Sequence, residues 1–194
     1  FLLFEPNDLM IIYGSPSRRR DFFDRFIAQI DPTFSTKVAR FDRILRQRNN
    51  LLKSDRANLE NLFVWDLQFA ELSEYISQQR SKAVTRINGL INKYYCAIAG
   101  VTNLDSSGRR LKINFFSAKR SSNEIFNQIQ ADFRSGYLTT KIGAQRDDYD
   151  FAFARQNVKT GASRGEGRTL LFAILASFAE VINETFHQKV YILL

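Results

Sequence analysis

From position 65 to position 98, apolar residues fall at steps of four, three, four, seven, four, three, four and four: Trp65, Phe69, Leu72, Ile76, Ala83, Ile87, Leu90, Tyr94 and Ile98. That rhythm keeps one seam of a helix apolar over its whole length. At about 1.5 Å per residue the segment reaches roughly 50 Å, which is long for a compact domain of this size. Upstream, Phe34, Val38, Phe41, Leu45 and Leu52 keep a similar spacing, with Arg40, Arg43, Arg46 and Lys53 on other faces. A polar link near residues 54–61 joins the two, so the pair reads as an antiparallel helical arm.

Sheet signals flank the arm. Residues 9–13 read as a strand ending in the turn Gly14-Ser15-Pro16. Ser17 can cap a helix over 18–30, and Asp31-Pro32 marks the next helix start, with proline at its first position. After a loop over 100–108, residues 110–117 alternate as a strand and 122–133 read as a short helix. Further strands are expected at 137–142, 149–154 and 190–194. The architecture expected is an α/β body with a long helical insertion: body over 1–16, arm over 17–135, body over 136–194. The missing initiator Met and the abrupt apolar end lead to the expectation of a segment of a longer protein.

The chain carries 28 Lys and Arg against 20 Asp and Glu, a formal charge of +8. Such a surplus favours an anionic partner, nucleic acid or nucleotide phosphate. One cysteine and one histidine exclude an intrachain disulfide and argue against a zinc or histidine-based catalytic centre. The single cysteine fits a reducing, intracellular setting. The apolar runs 170–173 and 190–194 are far shorter than a membrane span.

Three stretches could carry chemistry. Gly161-Ala162-Ser163-Arg164-Gly165-Glu166-Gly167-Arg168-Thr169 leads into a long apolar stretch. Ser163 with Glu166 is a capping box, and glycines at a helix start leave N–H groups open to an anion. The turn is either a phosphate contact or a well-capped core helix. Arg18, Arg19 and Arg20 sit where a helix dipole disfavours cations, so they are expected to face an anion such as DNA phosphate, the alternatives being an acidic packing partner or solvent. Arg46, Arg48 and Lys53 on the arm could track a phosphate backbone, or serve as a solvated face. Asp147, Asp148 and Asp150 could ligate Mg²⁺ in a nuclease, but neighbours along a strand point to opposite faces. A turn pairing them with Arg146 is the alternative. The phenylalanines and Trp65 fall at inward positions and read as core.

Several separated motifs resemble the RecF family of bacterial repair proteins. Pro6-x-Asp8-Leu9, Ile12-x-Gly14-Ser15-Pro16 and Arg19-Arg20-x-Phe22-Phe23-Asp24 come first, departing only at Asn7. Leu45-x-Gln47-Arg48-Asn49, Trp65-Asp66, Gly143-x-x-Arg146-Asp147-Asp148 and Ser163-x-Gly165 follow in the family's order. The resemblance implies an ABC-type ATPase head with an inserted arm. Ser163 and Gly165 would be its signature motif, meeting with Glu166 the γ-phosphate of ATP held with Mg²⁺ by a second head. It implies ATP-controlled binding to duplex DNA near gaps, dimerisation, and RecA loading with RecO and RecR in the cytoplasm. Ala144 and Gln145 replace the family's usual Pro-His, and Ala162 its usual Leu. The family's G-x-x-x-x-G-K-[ST] loop would precede residue 1 and its catalytic carboxylates would follow Leu194. The chain alone is therefore expected to hold no ATP and to hydrolyse none. The alternative is a non-catalytic helical module, binding DNA or protein, of another chromosome-maintenance ATPase.

Overall fold

A computed structural model describes residues 2–3, 9–55, 57–101, 110–118, 120–154, 156–187 and 192–193. Contacts divide the chain into two compact units. One, the sheet unit, comprises Phe1–Ile30, Ser81–Phe116 and Asp148–Leu194; the other, the helical unit, comprises Asp31–Arg80 and Ser117–Asp147. These bounds differ from the expected division at 17 and 135. The difference has a physical cause: the apolar face of the helix at 16–30 belongs to the sheet unit's core.

The helical unit begins with a strong stop and start. Asp31 Oδ1 accepts from the Thr33 backbone N–H at 2.9 Å and from its hydroxyl at 2.8 Å, and Pro32 opens helix α3 (Pro32–Leu52). Helix α4 (Leu59–Ala99) runs for 41 residues and contributes to both units. Its first half lies antiparallel to α3. The Phe41 ring stacks on Phe69 at 5.2 Å, and Tyr75 donates to Asp31 Oδ2 at 2.8 Å.

The buried seam of α4 is Leu62, Asp66, Phe69, Ser73, Ile76, Arg80, Ala83 and Ile87, a clean alternation of four and three. Phe69, Ile76, Ala83 and Ile87 were expected there. Trp65, Leu72, Leu90 and Tyr94 are only half-buried, and Ile98 is exposed. Three seam positions seven apart, Asp66, Ser73 and Arg80, are polar; Asp66 and Arg80 find partners in the interior, while the buried Ser73 hydroxyl meets none among the described residues.

Helix α5 (Ser122–Arg134) completes this unit, started by a capping box between Ser121 and Glu124. The expected strand at 137–142 is absent. Its Thr140 donates both backbone N–H and hydroxyl to Asn49 Oδ1, at 2.9 and 2.8 Å, so a helix side chain takes the bond a ladder would have used. Gly143 follows at φ 116°, where a side chain would also collide with the Phe69 ring.

In the sheet unit, strands β1 (Leu2–Leu3) and β5 (Ile192–Leu193) pair in parallel. The remaining residues of the expected last strand, like Pro6, Asp8 and most of the 100–108 loop, lie outside the described residues. Residues 10–13 form a short helix α1 (Met10–Tyr13), not the expected strand, with Ile11 and Ile12 buried. A short apolar run suits either form, and here the Gly14 N–H closes a helical turn onto the Met10 carbonyl at 2.7 Å.

Strands β2 (Leu111–Phe116), β3 (Asp148–Phe153) and β4 (Gln156–Asn157) form an antiparallel sheet. The register sets Ile113 against Phe151 and Phe115 against Tyr149. The far edge of β2 is closed by α4. Asn88 bonds both the N–H and the carbonyl of Ile113 at 2.8 Å, and Asn92 does the same for Leu111 at 2.8 and 3.0 Å. Two amides four residues apart on a helix thus stand in for a neighbouring strand.

Helices α2 (Pro16–Ile30), α6 (Val158–Gly161) and α7 (Arg164–Phe186) pack around this sheet. Phe178 of α7 stacks on Phe26 at 3.7 Å and meets Phe22 and Phe23 at 5.5 and 5.7 Å. Phe23 stacks in turn on Tyr149 of β3 at 4.0 Å. Each such ring contributes about 2–3 kcal/mol of burial. By length and composition α7 could cross a membrane, yet half of its apolar window is buried inside the protein. It is the core helix of this unit.

Candidate functional site

The chain entering α7 is built by two successive caps. Asn157 accepts from the Lys159 N–H at 2.8 Å and starts α6; Ala162 then extends the backbone into Ser163. Ser163 caps α7 with φ −68° and ψ 162°. Its Oγ accepts from the Glu166 N–H at 3.3 Å, and the Glu166 carboxylate accepts from the Ser163 N–H at 2.8 Å. The expected capping box is therefore present.

This arrangement assigns different tasks to the expected site residues. Glu166 uses its carboxylate to hold the turn. The Ser163 hydroxyl accepts from the helix and keeps its own proton to donate outward. The N–H groups of Arg164 and Gly165 belong to the first helical turn, where no helix carbonyl can accept them, and no acceptor among the described residues meets them. Gly165 is exposed, and a Cβ there would touch only Ser163 Oγ, at 3.9 Å, so its outer side is open to a ligand. Gly167 is glycine for another reason: it is buried, and a Cβ would come within 2.9 Å of the Tyr13 hydroxyl. Lys159, Arg164 and Arg168 are exposed around the turn and add positive charge to the helix dipole. A cleft of about 170 Å³ adjoins it, between Phe153, Asn157, Gly161 and Glu166. Such a turn can hold an anion through a hydroxyl, two backbone N–H groups and a dipole.

The six expected DNA contacts divide sharply. Arg18 is exposed. Arg19 is buried, its guanidinium gripping Asp148 at 2.7 and 2.9 Å and the Gly14 carbonyl at 2.7 Å. The anion facing it is an acidic packing partner, so Arg19 is no phosphate contact. Arg20 is half-buried and engaged within the protein.

Arg46 on α3 and Lys53 at its C-cap are exposed, but Arg48 is only 2 % exposed. It donates to Asp66 at 2.6 Å, to the Thr140 hydroxyl at 2.7 Å and to the Ile129 carbonyl at 3.4 Å, and is likewise withdrawn from any nucleic acid. Arg40 and Arg43 are exposed as well, and with Arg46 they lie on the solvent side of α3, which Lys53 follows at the C-cap. The signal was their spacing, opposite the buried Phe41, Ile44 and Arg48. Helix α3 carries five basic residues and one acidic one. Its basic face extends about 20 Å.

The aspartate cluster is dispersed. Asp147 is buried and accepts from Arg80 at 3.0 Å and from Ser77 at 2.7 Å. Burial pushes its carboxyl above the usual carboxylate range, against the pull of Arg80. Asp148 is held by Arg19, and Asp150 accepts from Asn157 at 2.7 Å. Three carboxylates on three different partners cannot share a cation, so the nuclease expectation falls. The pairing with Arg146 falls too, since Arg80 and Arg19 take those roles. Among the described residues no cluster of His, Cys, Asp and Glu could hold a metal ion.

No family model matches the chain. It is 30 % identical to the DNA replication and repair protein RecF of Crocosphaera subtropica over 96 % of its own length and 54 % of that protein's. To the same protein of Acetivibrio thermocellus it is also 30 % identical, over 99 % of its length and 54 % of the relative's. Its fold matches a solved structure of the recombination mediator protein RecF-ATP in the RecFOR pathway. The TM-score is 0.83 at 23 % identity, over 100 % of this chain and 53 % of that one. The chain thus spans about half the length of the relatives it matches, and over its own length it shares the fold of that structure, an α/β body with a long helical arm.

Proposed function

We propose that this chain, which belongs to the RecF family, supplies the signature-motif half of an ATP site that is completed by a second head. The observation that carries this reading is the turn opening α7. The Ser163 hydroxyl, left free by the cap to donate, and the Arg164 and Gly165 N–H groups lie at the exposed start of the helix beside an uncovered glycine. Donors so arranged would stabilise a γ-phosphate presented in trans, while Glu166 keeps the turn in shape. Mg²⁺ would arrive with the nucleotide, since the chain contains no G-x-x-x-x-G-K-[ST] run. The likeness to RecF proteins, one of them solved with ATP, supports the assignment.

On this reading the longer protein is an ATPase of the bacterial cytoplasm that dimerises on ATP, binds duplex DNA near gaps and works with RecO- and RecR-type partners in recombinational repair. Nucleic acid would run along the exposed basic residues Arg40, Arg43, Arg46 and Lys53, with Arg18 a further contact. Assaying the 194-residue chain for ATP turnover tests the catalytic side of this reading. None is expected, and turnover that survives loss of Ser163 contradicts it.

The second reading, a non-catalytic binding module in which the Ser163 turn is only a cap, draws support from the fully satisfied capping box. It predicts that ATP leaves the oligomeric state of the longer protein unchanged.

A further inference from the structure

Residues 59–79 of α4 carry Glu60, Asp66, Glu71 and Glu74 and no Lys or Arg, in a chain of formal charge +8. Asp66 is buried, but Glu60 and Glu71 are exposed. Between them stand Phe63, Val64 and Leu67, at 51 %, 57 % and 42 % exposure. Positions 60, 63, 64, 67 and 71 share one stripe of a helix. The Phe63 ring meets Phe126 of α5 edge-on at 5.7 Å, which carries the apolar surface onto the neighbouring helix. Large apolar side chains scattered singly over a surface are ordinary, but three grouped on one face mark an interaction site.

We propose that this face docks a segment of another protein whose apolar side chains are flanked by Lys or Arg. The apolar centre offers burial, and the glutamates at its two ends select the flanks by charge. The same glutamates repel phosphate, so this face serves a protein and the basic face of α3 serves nucleic acid. The inference stands independently of the nucleotide reading, because none of its residues belongs to the α7 turn.

Fluorescence anisotropy tests it with a labelled helical peptide of about 18 residues, long enough to overreach Glu60 and Glu71 by a turn at each end. Its leucines recur at three and four, and lysines flank them. The full chain is expected to bind it, and the double variant Glu60→Lys, Glu71→Lys to bind it roughly fivefold more weakly, as two exposed charge pairs are lost. That variant should prefer a glutamate-flanked peptide instead. Phe63→Ser with Leu67→Ser, both at exposed positions, should abolish binding while the circular dichroism spectrum stays unchanged.

Equal binding of both peptides by the unaltered chain overturns the proposal, as does undiminished lysine-peptide binding by the charge-reversed variant. If light scattering shows a dimer that Phe63→Ser dissociates, the occupant is a second copy of this chain and the proposal is equally overturned.

Discussion

Arg48 donates through Nε to Asp66 Oδ1 at 2.6 Å, with side-chain exposures of 2 % and 0 %. Gln130 donates to the other carboxylate oxygen at 2.7 Å, and Thr140, bonded to Arg48, is itself tied to Asn49. Two sequence motifs some twenty positions apart are thus two halves of one buried network. Removing one partner leaves the other charged and unpaired in the interior. Arg48→Ala or Asp66→Ala should each cost about 3–5 kcal/mol, whereas Arg48→Met with Asp66→Leu should recover most of that loss. Denaturant unfolding monitored by circular dichroism checks both outcomes.

The edge of β2 makes a second prediction. Asn88→Ala removes the partners of two backbone groups of Ile113 at once. The loss should be about 1–3 kcal/mol for each group left unsatisfied. Hydrogen exchange at the Ile113 amide should accelerate in this variant more than exchange in α3.

Nucleic-acid binding, if it follows the basic face of α3, has a distinctive salt signature. Arg43→Gln and Arg46→Gln should each lower the slope of log affinity against log salt by about one, uniformly across duplex sequences. Titration of a short duplex at several salt concentrations reads the slope directly. Slopes unchanged by both variants would move the interface elsewhere.

Alkaline pH offers a separate probe of the packing between α4 and α7. Tyr94 donates to Glu180 at 2.8 Å, and burial, reinforced by that carboxylate, pushes its phenol up to about 12. Its folded value lies above the ordinary 10.0, so the folded state holds the proton more tightly. The contribution to stability is complete below pH 10 and is lost as pH rises through about 12. Unfolding measured across this window should show the loss in the native chain and a flatter profile in Tyr94→Phe.

What could be read from sequence, and what could not, follows from the range of each interaction. Asp31-Pro32 and the Ser163–Glu166 pair declare themselves locally, because a cap acts over three residues. The arm was legible as helix from its period, but its seam was read one position off in places. Hydrophobicity cannot show that Asp66, Ser73 and Arg80 lie inside. Residues 137–142 looked like a strand on propensity, but Asn49, distant in sequence, takes the Thr140 N–H and the Asp132 carbonyl takes that of Tyr137. The same blindness left Arg19 undecided between a phosphate and an acidic packing partner, and made Arg48 look like a surface cation. Each resides in the interior because of an aspartate contributed from elsewhere in the chain.

The central claim is that Ser163 and the N–H groups beside it meet a phosphate held by another head. The Ser163→Asp variant separates this role from capping. Aspartate caps a helix as well as serine does, so α7 should remain intact, but its charge would face the γ-phosphate. In a full-length RecF protein carrying this segment, light scattering with and without ATP is the decisive measurement. The account predicts an ATP-dependent dimer in the native protein and none in Ser163→Asp, at equal thermal stability and equal nucleotide binding by the monomer. A variant that still dimerises with ATP would contradict it.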